Sequence, residues 1–372
     1  MKLTIERAVL LRALAHVQSV VERRNTIPIL SNVRLEARDG GLKLTATDMD
    51  LEVVETVLAD LSVAGATTAP AHTLYDICRK LPEGAEVSLD TTGDAGRLEI
   101  ACGRINFRLP CLPPEDFPVM SGGEFSHHFA LPASELRRLI DKTRFAVSTE
   151  ETRYYLNGIY LHAADGEDGR SLRAVATDGH RLARVDSDLP DGADGMPGVI
   201  VPRKAIGELR KLIDELDGAV EIDMSDTKIR YTFDTAVLTT KLIDGTFPDY
   251  ERVIPQNNDK MLEIDGKPFI DAVDRMAAIS TDKSRSIKLA LDNDRLMLSA
   301  NSPDSASGEE ELPVDYKGPG LEIGFNSRYV LDMTSHIEGD RIQFSMADAV
   351  SPTLVRDTSD PTTLYVLMPM RV

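Results

Sequence analysis

Asp178 and His180 stand two residues apart in the run Ala176-Thr177-Asp178-Gly179-His180-Arg181, and no other pair in the chain is better equipped for chemistry. An aspartate beside a histidine can orient the imidazole as a base or share a metal with it. Neither residue has a third partner at a useful spacing. The chain also lacks the HExxH, CxxC, P-loop and GxSxG patterns that would complete a metal, phosphate or nucleophile site. Asp48 repeats Asp178 earlier in the chain, but Met49-Asp50 follows it, and a third related run has Asn301-Ser302. A strand-end turn held by an aspartate side chain explains all three copies. A hydrolase using Asp178 and His180 explains one of them and stands as the rival reading. Cys78, Cys102 and Cys111 are odd in number and lack metal spacing, so they read as reduced thiols of a cytosolic protein. No metal and no cofactor is expected. His127-His128 is expected in an exposed linker.

The elements that hold the aspartate turns form a repeat. Residues 42–51 read LKLTATDMDL, residues 172–182 LRAVATDGHRL and residues 296–304 LMLSANSPD. Their alanines, Ala46, Ala176 and Ala300, lie 130 and 124 residues apart in a chain of 372. That period is a whole domain, since solenoid and propeller repeats run about 20–50 residues. Each third opens with a short apolar strand leading into a helix, at Leu3, Phe129 and Leu262, and repeats that entry at Ala66, Gly198 and Leu321. Phe117-Pro118 and Phe247-Pro248 close the first two thirds, again 130 apart.

Between the helices lie alternating segments broken by turn residues. Residues 32–46 and 286–300 read as hairpins turning at Asp39-Gly40-Gly41 and Asp292-Asn293-Asp294, and 86–102 and 219–233 repeat the pattern. Connections this short favour antiparallel sheet, so the fold class is α+β. Six helices, two per domain, are expected on one side of a continuous sheet whose other face meets solvent. Boundaries near Ser121–His127 and Pro255–Lys260 give domains 1–125, 126–257 and 258–372.

Composition narrows the function. Apolar residues make up 42%, enough for several cores, while aromatics are 5% with no tryptophan. Lys2, Glu6 and Arg7 at the start argue against a signal peptide, and no stretch approaches the ~18 apolar residues of a membrane helix. The net charge of −19 argues against a broadly basic nucleic-acid surface. Positive charge is nevertheless concentrated locally. Residues 137–144, read as helix, carry Arg137, Arg138, Lys142 and Arg144, and residues 203–211 carry Arg203, Lys204, Arg210 and Lys211. Acidic residues gather in 214–226 and 304–315. Each basic cluster alone reads as a solvated helix face; recurring in successive repeats, they point to one shared surface. The end of the chain, YVLMPMRV (365–372), is apolar where termini are usually polar. A last buried strand explains it as well as an adaptable methionine groove does.

Several runs together identify a family. TIPILSNV (26–33), DICRKLPEGAEV (76–87), RYYLNG (153–158), VATDGHRLA (175–183), VIVPRK (199–204), KLIDGTFPDY (241–250) and the terminal YVLMPMR span the whole chain. In them the chain resembles the bacterial β sliding clamps, processivity factors of the replicative DNA polymerase. The resemblance implies three repeated DNA-clamp domains, helices lining an inner face, antiparallel sheets outside, and a closed ring formed by a head-to-tail homodimer. It implies a scaffold that encircles double-stranded DNA without reading sequence, has no membrane association, and works in the bacterial cytoplasm at the nucleoid. Its partners would be the replicative polymerase, the clamp loader, other polymerases and repair proteins, all docking short peptides.

Residue by residue, the resemblance places a peptide groove at Arg153, Tyr155, Leu156, Thr177, Gly179, His180, Arg181 and Leu182. Pro248, Arg252, Val253, Asn326, Tyr329 and Val350 would join them, with Val366, Met368, Pro369, Met370 and Arg371 from the terminus. DNA contact is implied at Arg24 and Tyr154. Charge and position add Arg79, Lys80, Arg203 and Lys204, with Arg137, Arg138, Arg210 and Lys211 from the basic clusters. Phe107 of one copy would meet Ala278 and Ile279 of the other. Two positions depart from the family pattern: Ala278 is smaller than usual, and Pro352 replaces a small polar residue. A monomeric peptide-binding adaptor would have the same groove without the ring.

Overall fold

The computed structural model describes residues 1–94, 96–120, 122–166, 169–214, 216–279, 285–302 and 306–371. Ser121 of the first boundary, Pro303 and Asp304 of the third repeated run, and Val372 of the terminal run therefore lie outside the described residues. So do Ala95 of the 86–102 hairpin, and Glu215, Asp304 and Ser305 of the acidic segments.

Six α-helices occur among the described residues, at the six strand-to-helix entries: α1 Arg7–Gln18, α2 Ala71–Lys80, α3 Ala133–Asp141, α4 Arg203–Leu212, α5 Gly266–Ala277 and α6 Ser327–Thr334. Each directly follows a strand. Pro70, Pro132 and Pro202 stand at three of these entries, where a residue with no N–H to give ends a ladder without loss to the helix. Asn326 caps α6, its side chain accepting the Arg328 N–H at 3.0 Å. Leu10, Ala13, Leu14 and Val17 recur at helical spacing and form the buried stripe of α1; Phe269, Ala272, Val273 and Met276 do the same for α5.

The helix expected through residue 144 stops at Asp141. The Thr143 hydroxyl donates to the Leu139 carbonyl at 2.5 Å, competing with the backbone ladder, and a 3-10 turn takes over at Arg144–Ala146.

Among the described residues every strand pairing is antiparallel, but the single continuous sheet expected from sequence is four sheets of five, eight, nine and four strands. Twisted sheets seldom pass about ten strands before they split. The helix pairs are also not laid on one sheet: α1 packs on α2 and touches both Lys2–Glu6 of the five-stranded sheet and Leu51–Leu58 of the eight-stranded one. The hairpins turn as expected. Asp39 and Gly40 (φ 52° and 75°), like Asn293 and Asp294 (φ 43° and 62°), take the left-handed conformation of a two-residue turn. His127-His128 is no linker. It opens the strand His127–Pro132 opposite Met224 and Asp223, and the His128 Nδ1 lies 2.6 Å from Asp223 Oδ1.

Contacts group the chain into two compact units: residues 1–137 with 190–193 and 204–242, and residues 138–189 with 194–203 and 243–372. These are not the sequence repeats, because strands of the central third complete sheets begun by both neighbours. In the first unit Leu51–Leu58 pairs with Ala236–Lys241. In the second, Arg181–Asp188 pairs with Thr363–Leu367. These two strand junctions are called the first and second seams.

Candidate partner-docking groove

Both seams begin at an aspartate turn. In the second seam Asp178 Oδ1 accepts the backbone N–H groups of His180 (2.9 Å) and Arg181 (3.0 Å), and Oδ2 lies 3.1 Å from Arg181 Nε. In the first, Asp48 Oδ1 accepts from Asp50 (3.0 Å) and Leu51 (2.8 Å) in the same way. The carboxylate is thus committed to holding a turn, and the His180 ring stacks on Tyr329 at 6.0 Å. This arrangement leaves no base–acid pair for the hydrolase reading. Among the described residues no three His, Cys, Asp or Glu side chains converge to hold a metal.

Gly179 sits at φ 89°, and an added Cβ would lie 2.6 Å from Arg153 Nη1, so glycine serves both the turn and the approach of that guanidinium. Arg153 is fixed by two bonds to Glu150, at 2.8 and 2.6 Å.

Beneath the residues assigned to the groove lies an apolar core. Leu156, Val175, Leu182, Ile200, Leu354, Leu364 and Val366 form one buried cluster with Phe247, Tyr250 and Ile254, and Tyr155 packs against it. Leu182 stands directly opposite Val366 across the seam. Above the floor the chain end rises. Thr363–Leu367 is a fully buried strand, then Met368 is exposed and donates its N–H to the His180 carbonyl at 2.9 Å. Met370 bridges back to Gly324. The buried-strand reading of the tail therefore holds through Leu367, and beyond it the chain leaves the sheet.

The remaining residues named from sequence divide by exposure. Thr177, Asn326, Tyr329, Pro369 and Met370 are half-buried, whereas Pro248, Arg252, Val253, Val350 and Arg371 are exposed. Arg181 is different: it is buried, bonded to Asp332 Oδ2 and the Phe145 carbonyl (2.7 Å each), with its guanidinium 4.5 Å from the Tyr329 ring. It braces the wall from beneath. The carbonyl of Pro352, one of the two unusual positions, accepts from Asn258 Nδ2 at 2.9 Å.

Sequence reasoning missed the layer behind the floor. Arg173 is buried, bonded to both oxygens of Asp186 (2.7 and 3.0 Å) and to the Tyr250 hydroxyl (3.2 Å). Burial opposes its charge, but these partners outweigh burial and raise its pKa. His162 Nε2 lies 3.0 Å from the same hydroxyl, and burial pushes its pKa down. The repeated Phe-Pro landmark was the one signal available, since Phe247 enters this layer.

The first seam has the same frame with other side chains. Lys241 donates its N–H to the Asp50 carbonyl at 2.8 Å, as Met368 does to His180, and its ammonium lies 2.9 Å from the Asp50 carboxylate. Glu52 and Thr239 occupy the places of Leu182 and Val366. Buried Glu52 accepts the Met120 N–H at 3.0 Å, and burial raises its pKa.

The basic residues also divide. Arg24, Arg79, Lys80, Arg203 and Lys211 are exposed, as is Tyr154 at 53%. Arg137, however, donates to the Ile213 and Leu216 carbonyls (2.6 and 2.7 Å), closing the C-terminal end of α4. Arg138 donates to the Asp186 carbonyl (2.6 Å) and Lys142 to Asp360 (2.9 Å). Lys204 bonds Asp48 Oδ2 (2.7 Å) and Glu22, and Arg210 bonds Asp214 (2.6 Å). These five therefore act within the fold, so clusters read as one basic surface are mostly internal ties.

Phe107 and Ile105 are exposed at 40% and 38% on Ile105–Pro110, an edge strand of the five-stranded sheet. Ala278 is exposed at the end of α5. Ile279 is half-buried against Gly308, where any Cβ would collide with it. Gly308 belongs to Ser307–Pro313, an edge strand of the four-stranded sheet.

Comparison with known proteins agrees with this geometry. Models of the N-terminal, central and C-terminal domains of the DNA polymerase III beta subunit match residues 1–121, 130–249 and 251–371. The Caulobacter vibrioides beta sliding clamp is 55% identical over 372 residues, covering all of both chains. A Bartonella birtlesii sliding clamp bound to griselimycin superposes with a TM-score of 0.97 at 51% identity, covering 100% of each chain. The C. crescentus beta sliding clamp with PEG bound gives 0.98 at 55%, covering 100% of this chain and 99% of that one. With three clamp domains matched in order along its whole length, the chain belongs to the bacterial β sliding clamps, the beta subunits of DNA polymerase III.

Proposed function

We infer that two copies of this chain close head to tail into a ring around duplex DNA, and that the second seam tethers replication proteins to it. The protein is then a non-enzymatic processivity factor. The replicative polymerase, clamp loader, other polymerases and repair proteins would each insert a short peptide beside Leu182, Val366 and Met368.

The observation that carries the ring is an equivalence of strands. Leu51–Leu58 of the first third pairs with Ala236–Lys241, and its counterpart Arg181–Asp188 pairs with Thr363–Leu367. The third members of the two series, Ser307–Pro313 and Ile105–Pro110, are left as edges. A long unpaired edge is a template for another strand. A second copy satisfies both edges by repeating a junction the chain already makes twice, a head-to-tail contact that closes on itself. Glu309, Glu310 and Glu311 on one edge and Arg104 and Arg108 at the other supply opposite charge. Phe107 would then meet Ala278 and Ile279.

Exposed Arg24, Arg79, Lys80, Arg203 and Tyr154 are the residues this reading assigns to DNA, with Lys211 beside them. Contacts that neutralise phosphates without reading bases permit sliding. The domains are taken as 1–125, 126–257 and 258–372. Three free cysteines, with no disulfide, accord with work in the bacterial cytoplasm. The groove is also where griselimycin would bind.

The test is retention. The protein should sediment at twice 40.8 kDa, and once loaded should stay on closed circular DNA and leave linear DNA by its ends. Equal retention on both forms would overturn the encircling mechanism. A monomer at micromolar concentration would overturn the edge pairing.

A further inference from the structure

The apolar floor of the second seam ends abruptly in charge. Leu182 and Leu354 belong to strands on either side of Thr363–Leu367, and both stand opposite Val366. Two residues further along each strand, on the same face, are Arg184 and Arg356. Arg184 stands opposite Leu364, and the matching register places Arg356 on its other side. The two guanidinium-bearing strands are thus separated by one strand, about 10 Å from backbone to backbone. Leu364, itself part of the floor, lies between them.

The charge there is not balanced internally. Asp186, the nearest carboxylate, is already held by both arms of Arg173, and Arg184 Nη2 reaches it only at 3.5 Å. Arg184 Nε is buried and has no hydrogen-bond partner. Arg356 is exposed, with no partner among the described residues. Three arginines (Arg173, Arg184, Arg356) meet two carboxylates (Asp186, Glu251), in a chain whose net charge is −19. Burial lowers the pKa of Arg184, Asp186 raises it, and Arg173 and Arg356 lower it further. The first seam has no counterpart: Val54 occupies the place of Arg184 and is opposite Val237.

We propose that Arg184 and Arg356 form an anionic subsite continuous with the groove, which takes the side-chain carboxylate of an acidic residue next to the apolar anchors of a docking peptide. This inference rests on the groove reading above and adds a charge requirement to it. A carboxylate reached by both guanidinium groups would receive N–H bonds from two sides, and charge-assisted bonds of this kind are about twice as strong as neutral ones. Because the surrounding protein is acidic, such a peptide is not drawn in by the overall field. Selection for its carboxylate falls to the arginine pair.

The test uses the full-length protein and fluorescein-labelled six-residue peptides carrying Leu and Phe anchors, with Asp or Asn at each remaining position in turn. Fluorescence polarisation should find at least one position where Asp binds about tenfold tighter than Asn. That ratio should fall to near one in Arg184→Gln/Arg356→Gln, while the Asn peptide binds the variant as it binds the parent. Arg356→Gln alone, at an exposed position, should halve the preference on a logarithmic scale and serves if the double variant does not fold. Equal binding of Asp and Asn peptides by the parent, with both displaced by griselimycin, would overturn the subsite and leave the groove standing. A preference that survives both substitutions would overturn the assignment to these arginines. Displacement of the Asp peptide by a 30-base-pair duplex would reassign the pair to phosphate. Failure of every peptide to bind would sink the groove reading and this inference with it.

Discussion

The two seams are built on one frame and carry opposite kinds of side chain. Both have an aspartate turn, a following strand, and a partner strand whose last backbone N–H returns to the turn. In the first seam that contact is covered by the Asp50–Lys241 ion pair, and Glu52 below it is bound to the Met120 backbone. In the second, His180 and Met368 replace the ion pair, and Leu182 with Val366 replaces Glu52 with Thr239. On the proposed reading, docking ability lies in four substitutions on a shared backbone. A seam satisfied by its own charges is closed, and one floored with leucine and valine and rimmed by methionine offers desolvation to a visitor.

Exchanging the floors is the harshest way to break this contrast. Leu182→Glu with Val366→Thr gives the second seam the side chains of the first, and should weaken partner-peptide binding by more than about 100-fold in a polarisation assay. Ending the chain at Leu367 should remove polymerase binding while the dimer sediments unchanged. Dissociation of the dimer on that truncation would count against the groove.

The lysines that tie each seam should differ next. Lys142, its side chain only 6% exposed, pairs with Asp360, and Lys142→Ala leaves that carboxylate to the Thr362 and Thr363 hydroxyls and Arg138 at 3.8 Å, at about 2 kcal/mol. Lys204, at 35%, should cost about 1 kcal/mol when replaced by alanine. Denaturant unfolding would read both, and equal costs would erase the distinction.

The turns give a smaller pair of effects. Gly179→Ala places a side chain at φ 89° against Arg153, and should cost about 1–2 kcal/mol and weaken peptide binding. Met49 carries φ 79° in the equivalent turn, so Met49→Gly should be neutral or stabilising by up to about 1 kcal/mol.

Smallest is the pH response of Glu52. Burial raises its pKa, so the fold favours the protonated acid. That contribution is full below the free carboxylate value of about 4.3 and is lost as pH rises through the folded value. Glu52→Gln keeps an acceptor for Met120, and should raise the melting temperature by about 1–3 °C at pH 7.5 while changing nothing at pH 4.

Much of the frame was legible in the sequence. Six strand-to-helix entries and the thrice-written run located the helices and the aspartate turns, because periodicity and turn chemistry are local. What failed was anything needing a partner distant in the chain. Arg137 looks like a free cation until the Ile213 and Leu216 carbonyls, 76 and 79 residues away, close on it. A single sheet was expected because strand count does not say where twist divides them. The groove residues were assigned by resemblance. Residue spacing alone offered only the unusual Met368-Pro369-Met370, and it did not reveal that Leu182 faces Val366 or that Arg173 and Tyr250 back the floor.

Hydrogen exchange of the full-length protein with and without griselimycin tests the central claim most directly. The account predicts slowed exchange at residues 177–184 and 363–370, with residues 48–54 and 236–241 unchanged. Protection of the first seam, or of both seams alike, would contradict it.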